Sequence, residues 1–194
     1  MDILAHSLWA GGGVALLGRR MPVSPRTAAA TIGLTALPDV FQTLPVLAWW
    51  WVGGGTFAAV WSFAIALPGQ EPLLPPAVIF VSHHLHCMAH SAVVAGVVTL
   101  LVWRLRHALW IPLLGWWSHI VIDVFTHSAD YYASPVLYPF TDRGFDGIAW
   151  NTPWFMALNY LALIAVALGL WVARLRRQGG RQTTGKACVP GSGK

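Results

Sequence analysis

The residues best suited to chemistry in this chain are histidines and aspartates placed inside apolar segments. His119, Asp123 and His127 recur every four residues in GWWSHIVIDVFTHSAD, which puts them on one stripe of a helix. The earlier segment HHLHCMAHS adds His83, His84, His86 and His90. Ionisable groups in apolar segments usually face a bundle interior, a partner or a water-filled cavity. Because imidazoles and carboxylates are ligands of zinc and related metals, the pattern predicts a buried metal site.

Spacing along the helix assigns different roles to these residues. His119 and Asp123 are one turn apart and can share an ion, whereas His119 and His127 are about 12 Å apart along a helix axis. His127 is therefore expected to bind a second ion, to orient a ligand or to contact substrate. We predict His90 as a ligand and His86 as a ligand or proton carrier, so that His127 and His86 are the candidate catalytic residues. The competing interpretation is a hydrogen-bond network without metal.

Two further candidate ligands lie on other predicted helices. His6 is in the first apolar segment, and Asp39 follows Pro38. Each has a simpler explanation taken alone, since a buried histidine is usually hydrogen-bonded and an aspartate after a proline can cap the next helical segment. Together they supply ligands that converge from other helices, which a pair on one helix lacks. The predicted metal ligands are His6, Asp39, His90, His119 and Asp123.

Composition indicates the class of protein. Hydrophobic residues make up 56% of the 194 positions and charged residues only 10%, against about 25% charged in soluble domains. This predicts an all-α, polytopic transmembrane helical bundle, whose partner is the lipid bilayer. The net charge of +5 comes mainly from short groups between or after apolar runs, so we expect no nucleic-acid partner. The two cysteines provide no disulfide framework.

The apolar runs define the elements that must position the candidate ligands. A membrane-embedded domain is predicted over residues 1–177 and a disordered basic tail over 178–194. Within residues 40–67, Gly53, Gly54 and Gly55 predict a re-entrant or broken hairpin after the second helix. The predicted helices cover residues 2–18, 25–37, 77–103, 108–127 and 153–173, and residues 128–152 are predicted to be a loop.

Arginines near the ends of these helices predict the orientation and the depth of the site. Placing the three basic groups in the cytoplasm satisfies the positive-inside rule and makes the C-terminal tail cytoplasmic. Four of the candidate ligands then lie thirteen or fourteen residues from a boundary arginine, at a depth of roughly 20 Å. These four are His6, Asp39, His90 and His119. Since the helices below this layer are apolar, an ion-conducting path is not expected.

Four motifs together resemble a known family. They are MDILAHSLWAGG, a Leu-Pro-Asp, a His-Ser in an apolar helix, and a Ser-His-x-x-x-Asp helix before an aromatic segment. This pattern, over roughly residues 1–160, resembles the membrane-bound metal-dependent hydrolases, whose founding bacterial member is a LexA-regulated inner-membrane protein. The resemblance implies the same five metal ligands. Many members have His-Arg-Gly-x-Thr-His-Ser, but Leu85 stands at the first histidine of that motif, where His84 or His86 can substitute.

The resemblance also implies a function. It indicates a metal-dependent hydrolase of the bacterial inner membrane, with a divalent metal that is zinc by preference or else manganese. A remote similarity of this family to zinc-dependent phospholipases C and single-strand nucleases implies a phosphoester in a lipid or lipid-linked substrate. Two other interpretations stay open: a divalent-metal transporter or sensor, and a structural membrane protein whose histidines only hold helices together.

Overall fold

Long apolar runs separated by prolines and glycines produce a helical chain. The computed structural model describes residues 1–66, 70–130 and 133–185, and in these ranges it has seven helices and no strand. The predicted all-α class is therefore confirmed. The helices are α1 (Ile3–Leu17), α2 (Pro25–Val52), α3 (Phe57–Ile65), α4 (Pro76–Ala89), α5 (Ala92–Arg106), α6 (Leu113–Thr126) and α7 (Pro153–Gly185).

Two of the helices are long and apolar enough to cross a membrane. They are α2 over its full length and α7 from Pro153 to Gln178. A third span results if α4 and α5, which are bent by 59° at a short break, are counted as one. Helices α1 and α6 are apolar but shorter. The chain thus has two to three candidate membrane spans.

Helix α2 is longer than predicted. Proline lacks an N–H donor and its ring hinders the preceding turn, which is why the sequence predicts an end near Pro38. The helix instead continues through Pro38 and Pro45 to Val52. Helix α2 packs against α1, α3, α4 and α6, and this packing on several sides offsets the two missing hydrogen bonds. The interpretation of Asp39 as a helix cap is wrong, because Asp39 lies inside the helix.

The predicted glycine break follows α2. Gly53 caps the helix, and Gly54 has φ of 79°, a left-handed backbone conformation that glycine adopts without steric cost. Helix α3 then folds back so that Val60 packs with Val46 of α2. The chain therefore forms a broken hairpin at the predicted position.

The predicted single helix over residues 77–103 is wrong, since it is divided between α4 and α5. Ser91 caps α5 by accepting hydrogen bonds from the N–H groups of Val93 and Val94. Its hydroxyl also donates to the carbonyl oxygen of Tyr138 at 2.6 Å. The loop before α7 thus fixes the bend, and the bend brings His90 to the end of α4.

Replacing Ser91 by alanine is expected to destabilise the fold by about 1–2 kcal/mol. The substitution removes a helix cap and leaves the partly buried carbonyl of Tyr138 without this donor. Ser24→Ala is the matched control, since Ser24 caps α2 from an exposed position and its loss should cost less. The unfolding midpoint in detergent measures both, and equal midpoints would contradict the proposed role of Ser91.

Helix α6 is anchored on three sides. The indole N–H of Trp116 donates to the carbonyl oxygen of Ala89 at 2.6 Å, and that of Trp117 donates to the hydroxyl of Thr99 at 2.9 Å. On the side facing α2, a Cβ added at Gly115 would lie 2.1 Å from the carbonyl oxygen of Thr31. A glycine is therefore needed for this close approach of α2 and α6. The helix begins at Leu113, five residues later than predicted.

Two polar contacts fasten α1 to α7. The indole N–H of Trp9 donates to the side-chain oxygen of Asn159, and the hydroxyl of Tyr160 donates to Asp2, which caps α1. Helix α7 continues to Gly185, beyond the predicted start of the tail at residue 178. Residues 186–194 of the predicted tail lie outside the described residues.

Candidate metal centre

Four buried side chains, from helices α2, α4 and α6, meet in the space between these helices. Asp39 comes from the middle of α2, His90 from the end of α4, and His119 and Asp123 from one stripe of α6. Their ligand atoms all lie within 4.8 Å of one another. The structure thus brings together four of the five predicted metal ligands.

The spacing of these atoms fits a metal ion. Nε2 of His90 lies 3.2 Å from Oδ2 of Asp123 and 3.7 Å from Oδ1 of Asp39. Nε2 of His119 lies 3.0 Å and 3.8 Å from the same two oxygens, and the two Nε2 atoms are 3.0 Å apart. Four ligands bonded to a tetrahedral zinc at about 2.0–2.1 Å would be about 3.3 Å apart. The five distances scatter around that value.

The protonation of His90 supports a ligand role. Its Nδ1 lies 2.9 Å from the carbonyl oxygen of His86, which can only accept, so Nδ1 carries the ring proton and donates it. In the neutral ring, Nε2 then holds a lone pair directed at the carboxylates of Asp39 and Asp123. The lone pair of Nε2 and the carboxylate oxygens are all hydrogen-bond acceptors, and they repel one another when buried together. An additional proton or a cation between them is therefore required. A hydrogen bond from Nδ1 to a carbonyl is also the usual way in which a metal-binding histidine is oriented.

A pure hydrogen-bond network leaves atoms of this cluster unsatisfied. Oδ2 of Asp39 and Oδ2 of Asp123 are buried and have no hydrogen-bond partner among the described residues, although the second of these oxygens faces Nε2 of both His90 and His119. A single proton on Nε2 of His119 can be directed at His90 or at Asp123, but it does not serve Asp39, 3.8 Å away, as well. A cation among the four side chains balances both carboxylates at once, and we therefore favour the metal interpretation.

His6 lies beside this group of four. Its Nε2 is 2.8 Å from Oδ1 of Asp123, and its ring stacks on that of His119 with centroids 3.9 Å apart. Since Oδ2 of the same carboxylate faces His90 and His119, His6 contacts the other oxygen of Asp123. This position fits a residue that orients Asp123. A direct bond from His6 to the metal stays a prediction.

Asp123 makes two further contacts that the sequence analysis missed. The amino group of Met1 donates to Oδ1 at 2.5 Å, and the hydroxyl of Thr126 donates to the same oxygen at 3.2 Å. Thr126 could have been found from its position three residues after Asp123 on the helix. Nothing in the local sequence indicated Met1. Asp123 is thus the most highly connected residue of the site.

The two candidate catalytic histidines occupy different positions. Helix α6 ends at Thr126 and His127 has extended backbone, and its Nε2 lies 3.4 Å from Oδ2 of Asp123. Asp123 and His127 are four residues apart, so their spacing along the helix already allows this contact. His86 is buried with its ring 4.1 Å from that of His90 and 6.3 Å from that of His127. The structure places both beside the ligands.

A loop holds His127 in this position. The N–H of Gly147 donates to the carbonyl oxygen of His127, and the N–H groups of Ile148 and Trp150 donate to Phe125 and Thr126. A Cβ at Gly147 would lie 2.5 Å from the carbonyl oxygen of Phe125, so the loop can approach this closely only with glycine there. The sequence analysis treated this segment as a loop and missed its contact with the site.

One cavity connects the site to the outside of the helices. It has a volume of about 320 Å³, and its wall includes Asp39, His127, Gln42, Thr43 and Asp2. His86, His90 and His119 are not among its lining residues. A small molecule in this cavity would therefore meet Asp39 and His127 first.

The remaining residues of the histidine-rich segment lie away from the centre. His83 is exposed and its Nε2 lies 3.5 Å from the sulfur of Cys87. His84 is half-buried and its Nδ1 contacts the carbonyl oxygen of Phe80. Of the two histidines that can substitute in the motif interrupted at Leu85, His86 is the one whose ring lies against His90.

These features define a helical protein with candidate membrane spans and a buried group of two histidines and two aspartates that can hold a metal ion. Comparisons with family models, with curated proteins and with solved structures find no match to this chain. The family resemblance drawn from the motifs therefore stays a prediction.

Proposed function

We propose that this protein is a membrane-embedded, metal-dependent hydrolase that cleaves a phosphoester in a lipid or lipid-linked substrate. The observation that carries the proposal is the close approach of the ligand atoms of Asp39, His90, His119 and Asp123, within 4.8 Å of one another, beside a cavity that exposes only part of the site. Zinc is the preferred metal because two imidazoles and two carboxylates match its usual ligands, and manganese is the alternative.

The four ligands hold the metal, and the surrounding residues fix their orientation. The carbonyl oxygen of His86 fixes the ring of His90, and His6 and Thr126 hold Oδ1 of Asp123. When bound, a divalent metal supplies positive charge to the substrate oxygen and lowers the pKa of water. Hydrogen bonds that orient metal ligands, such as those to His90 and Asp123, typically change metal affinity or activity by about 10–100-fold. The roles of His6 and His86 are therefore first of all to position the ligands.

His127 is suited to carry the proton of the reaction. Hydrolysis adds water across the P–O ester bond, and the leaving oxygen takes up a proton as that bond breaks. Nε2 of His127 lies within 3.4 Å of Asp123, and the residue lines the cavity from which substrate would enter. His86 does not line this cavity, so His127 is the stronger candidate for general acid.

The surroundings of the site support a lipid or lipid-linked substrate. The chain has two or three candidate spans, and the metal group is contributed by the span α2, by the break between α4 and α5, and by the shorter apolar helix α6. Within a polytopic bundle of the bacterial inner membrane, with the basic C-terminal end in the cytoplasm, such a site is reached most directly from the bilayer. Its substrate would then be amphiphilic, with the phosphoester at the cavity.

Replacing His127 by glutamine is expected to lower turnover about 10²–10⁴-fold while metal content is retained, because a proton carrier is lost and the four ligands remain. Full-length protein loaded with zinc would be assayed for headgroup release from phosphatidylglycerol in mixed micelles and for cleavage of bis(p-nitrophenyl) phosphate. His84→Gln is the matched control, since His84 is a histidine outside the site.

The assay also separates the competing functions. Zinc-loaded wild-type protein that cleaves neither substrate but moves zinc across proteoliposomes would overturn the hydrolase proposal in favour of a transporter. Equal turnover in His127→Gln and wild type would exclude the proposed proton carrier.

A further inference from the structure

A second feature of the molecule is a cleft between α1 and α7. It lies at the end of these two helices that is opposite to the hydrogen bond between Asp2 and Tyr160. This cleft of about 810 Å³ separates the end of α1 from α7. Three arginines line it, Arg19 after α1 and Arg174 and Arg177 on α7, together with apolar residues that include Leu170 and Trp171. The cleft thus combines a cluster of positive charge with an apolar wall.

Among the described residues, no carboxylate balances the positive charge of this cleft. No aspartate or glutamate lines it, and neither α1 nor α7 contains an acidic residue. In the part of the chain that the structure describes, none of the three guanidinium groups forms an ion pair with a carboxylate. Three cations around one cleft without a carboxylate favour an anionic ligand.

The position of the arginines along α7 indicates where this ligand would be found. Trp154 and Arg174 are twenty residues apart on the helix, which corresponds to about 30 Å, the thickness of the hydrocarbon core of a bilayer. Trp171 lies one turn before Arg174, and both Trp154 and Trp171 are exposed, as expected of tryptophans at the two interfaces. A membrane-spanning α7 would therefore place Arg174 and Arg177 at the level of the lipid headgroups.

We propose that this cleft binds the headgroup of an anionic phospholipid. Guanidinium groups pair with phosphate through two parallel hydrogen bonds, and the three arginines surround the cleft from two helices. Leu170 and Trp171 supply the apolar surface against which the glycerol and the first acyl carbons pack. The proposal does not depend on the hydrolase function, since the cleft shares no lining residue with the cavity at the metal centre.

The test is to count the lipids bound to full-length protein by native mass spectrometry. The protein would be reconstituted in nanodiscs containing an equimolar mixture of phosphatidylcholine and phosphatidylglycerol and released into detergent. Phosphatidylglycerol should be retained preferentially. Its apparent affinity should fall roughly fivefold for each arginine replaced by glutamine, singly and together, among Arg19, Arg174 and Arg177.

A triple variant of equal charge is the control. Arg26→Gln, Arg104→Gln and Arg106→Gln remove three positive charges that do not line the cleft. They should leave phosphatidylglycerol binding unchanged. Equal losses in the two sets, or no loss in the single variants at the cleft, would overturn the proposal. Displacement of the lipid by millimolar inorganic phosphate would also overturn it, since the ligand would then be free phosphate.

Discussion

Replacing His119 by glutamine is expected to abolish stoichiometric metal binding. Wild-type protein purified in detergent should contain close to one equivalent of zinc or manganese, and affinity in the variant should fall by more than about 100-fold. The reason is geometric, because Nε2 of His119 faces Oδ2 of Asp123 at 3.0 Å and Nε2 of His90 at 3.0 Å. Elemental mass spectrometry and titration with a competing chelator measure both quantities.

The same measurement on two other variants decides whether the loss of metal is specific. His84→Gln, outside the group of four, should retain the metal. Asp123→Asn should lose it, and the variant should also unfold at a lower temperature, since the carboxylate is contacted by His6, Met1 and Thr126. Wild-type protein that takes up no metal even after reconstitution would contradict the hydrolase proposal and leave the structural interpretation.

The second large effect is expected at Gly115, a residue that is not itself a candidate metal ligand. Gly115→Ala would place a Cβ 2.1 Å from the carbonyl oxygen of Thr31 and 2.7 Å from the hydroxyl of Thr35. One of these atoms belongs to the helix backbone, so α2 and α6 would have to separate. Overpacking of this kind costs about 1–3 kcal/mol. The separation also moves Asp39 away from His119, and metal affinity should fall at least tenfold.

Gly33→Ala is the matched control for this substitution. Gly33 lies in α2, and a Cβ there meets no atom within 4 Å. Its replacement by alanine should leave metal content unchanged and increase helix stability slightly. Both variants would be compared by thermal unfolding in detergent and by metal content. Wild-type values for Gly115→Ala would show that α2 and α6 approach less closely than the structure indicates.

Much of the candidate site could be predicted from residue types and their spacing. The four-residue interval between His119 and Asp123 fixes both on one face of α6, whatever that helix packs against. The cost of ionisable groups in apolar segments indicated that Asp39 and His90 would be turned inward. The spacing and the apolar surroundings are both properties of the local sequence, so they do not depend on how the helices are arranged.

The prediction failed where packing competes with a local preference. Pro38 was expected to end a helix, but contacts of α2 with four other helices keep it continuous through Pro38, and Asp39 lies buried within it. In contrast, the apolar run over residues 77–103 has no proline or glycine at His90, yet the chain breaks there. The cause is the contact of Ser91 with Tyr138, a residue that is 47 positions away in the sequence.

The sequence by itself determined the helical class, the apolar character of the segments and the candidate ligands, because these depend on composition and on periodicity over a few turns. Only the tertiary structure decided which ligands meet. The backbone of His127 is held in place because the loop at Gly147 pairs with the end of α6. Asp39 reaches His119 because Gly115 lets two helices touch. Both are contacts between distant segments, and no local pattern encodes the distance between two backbones.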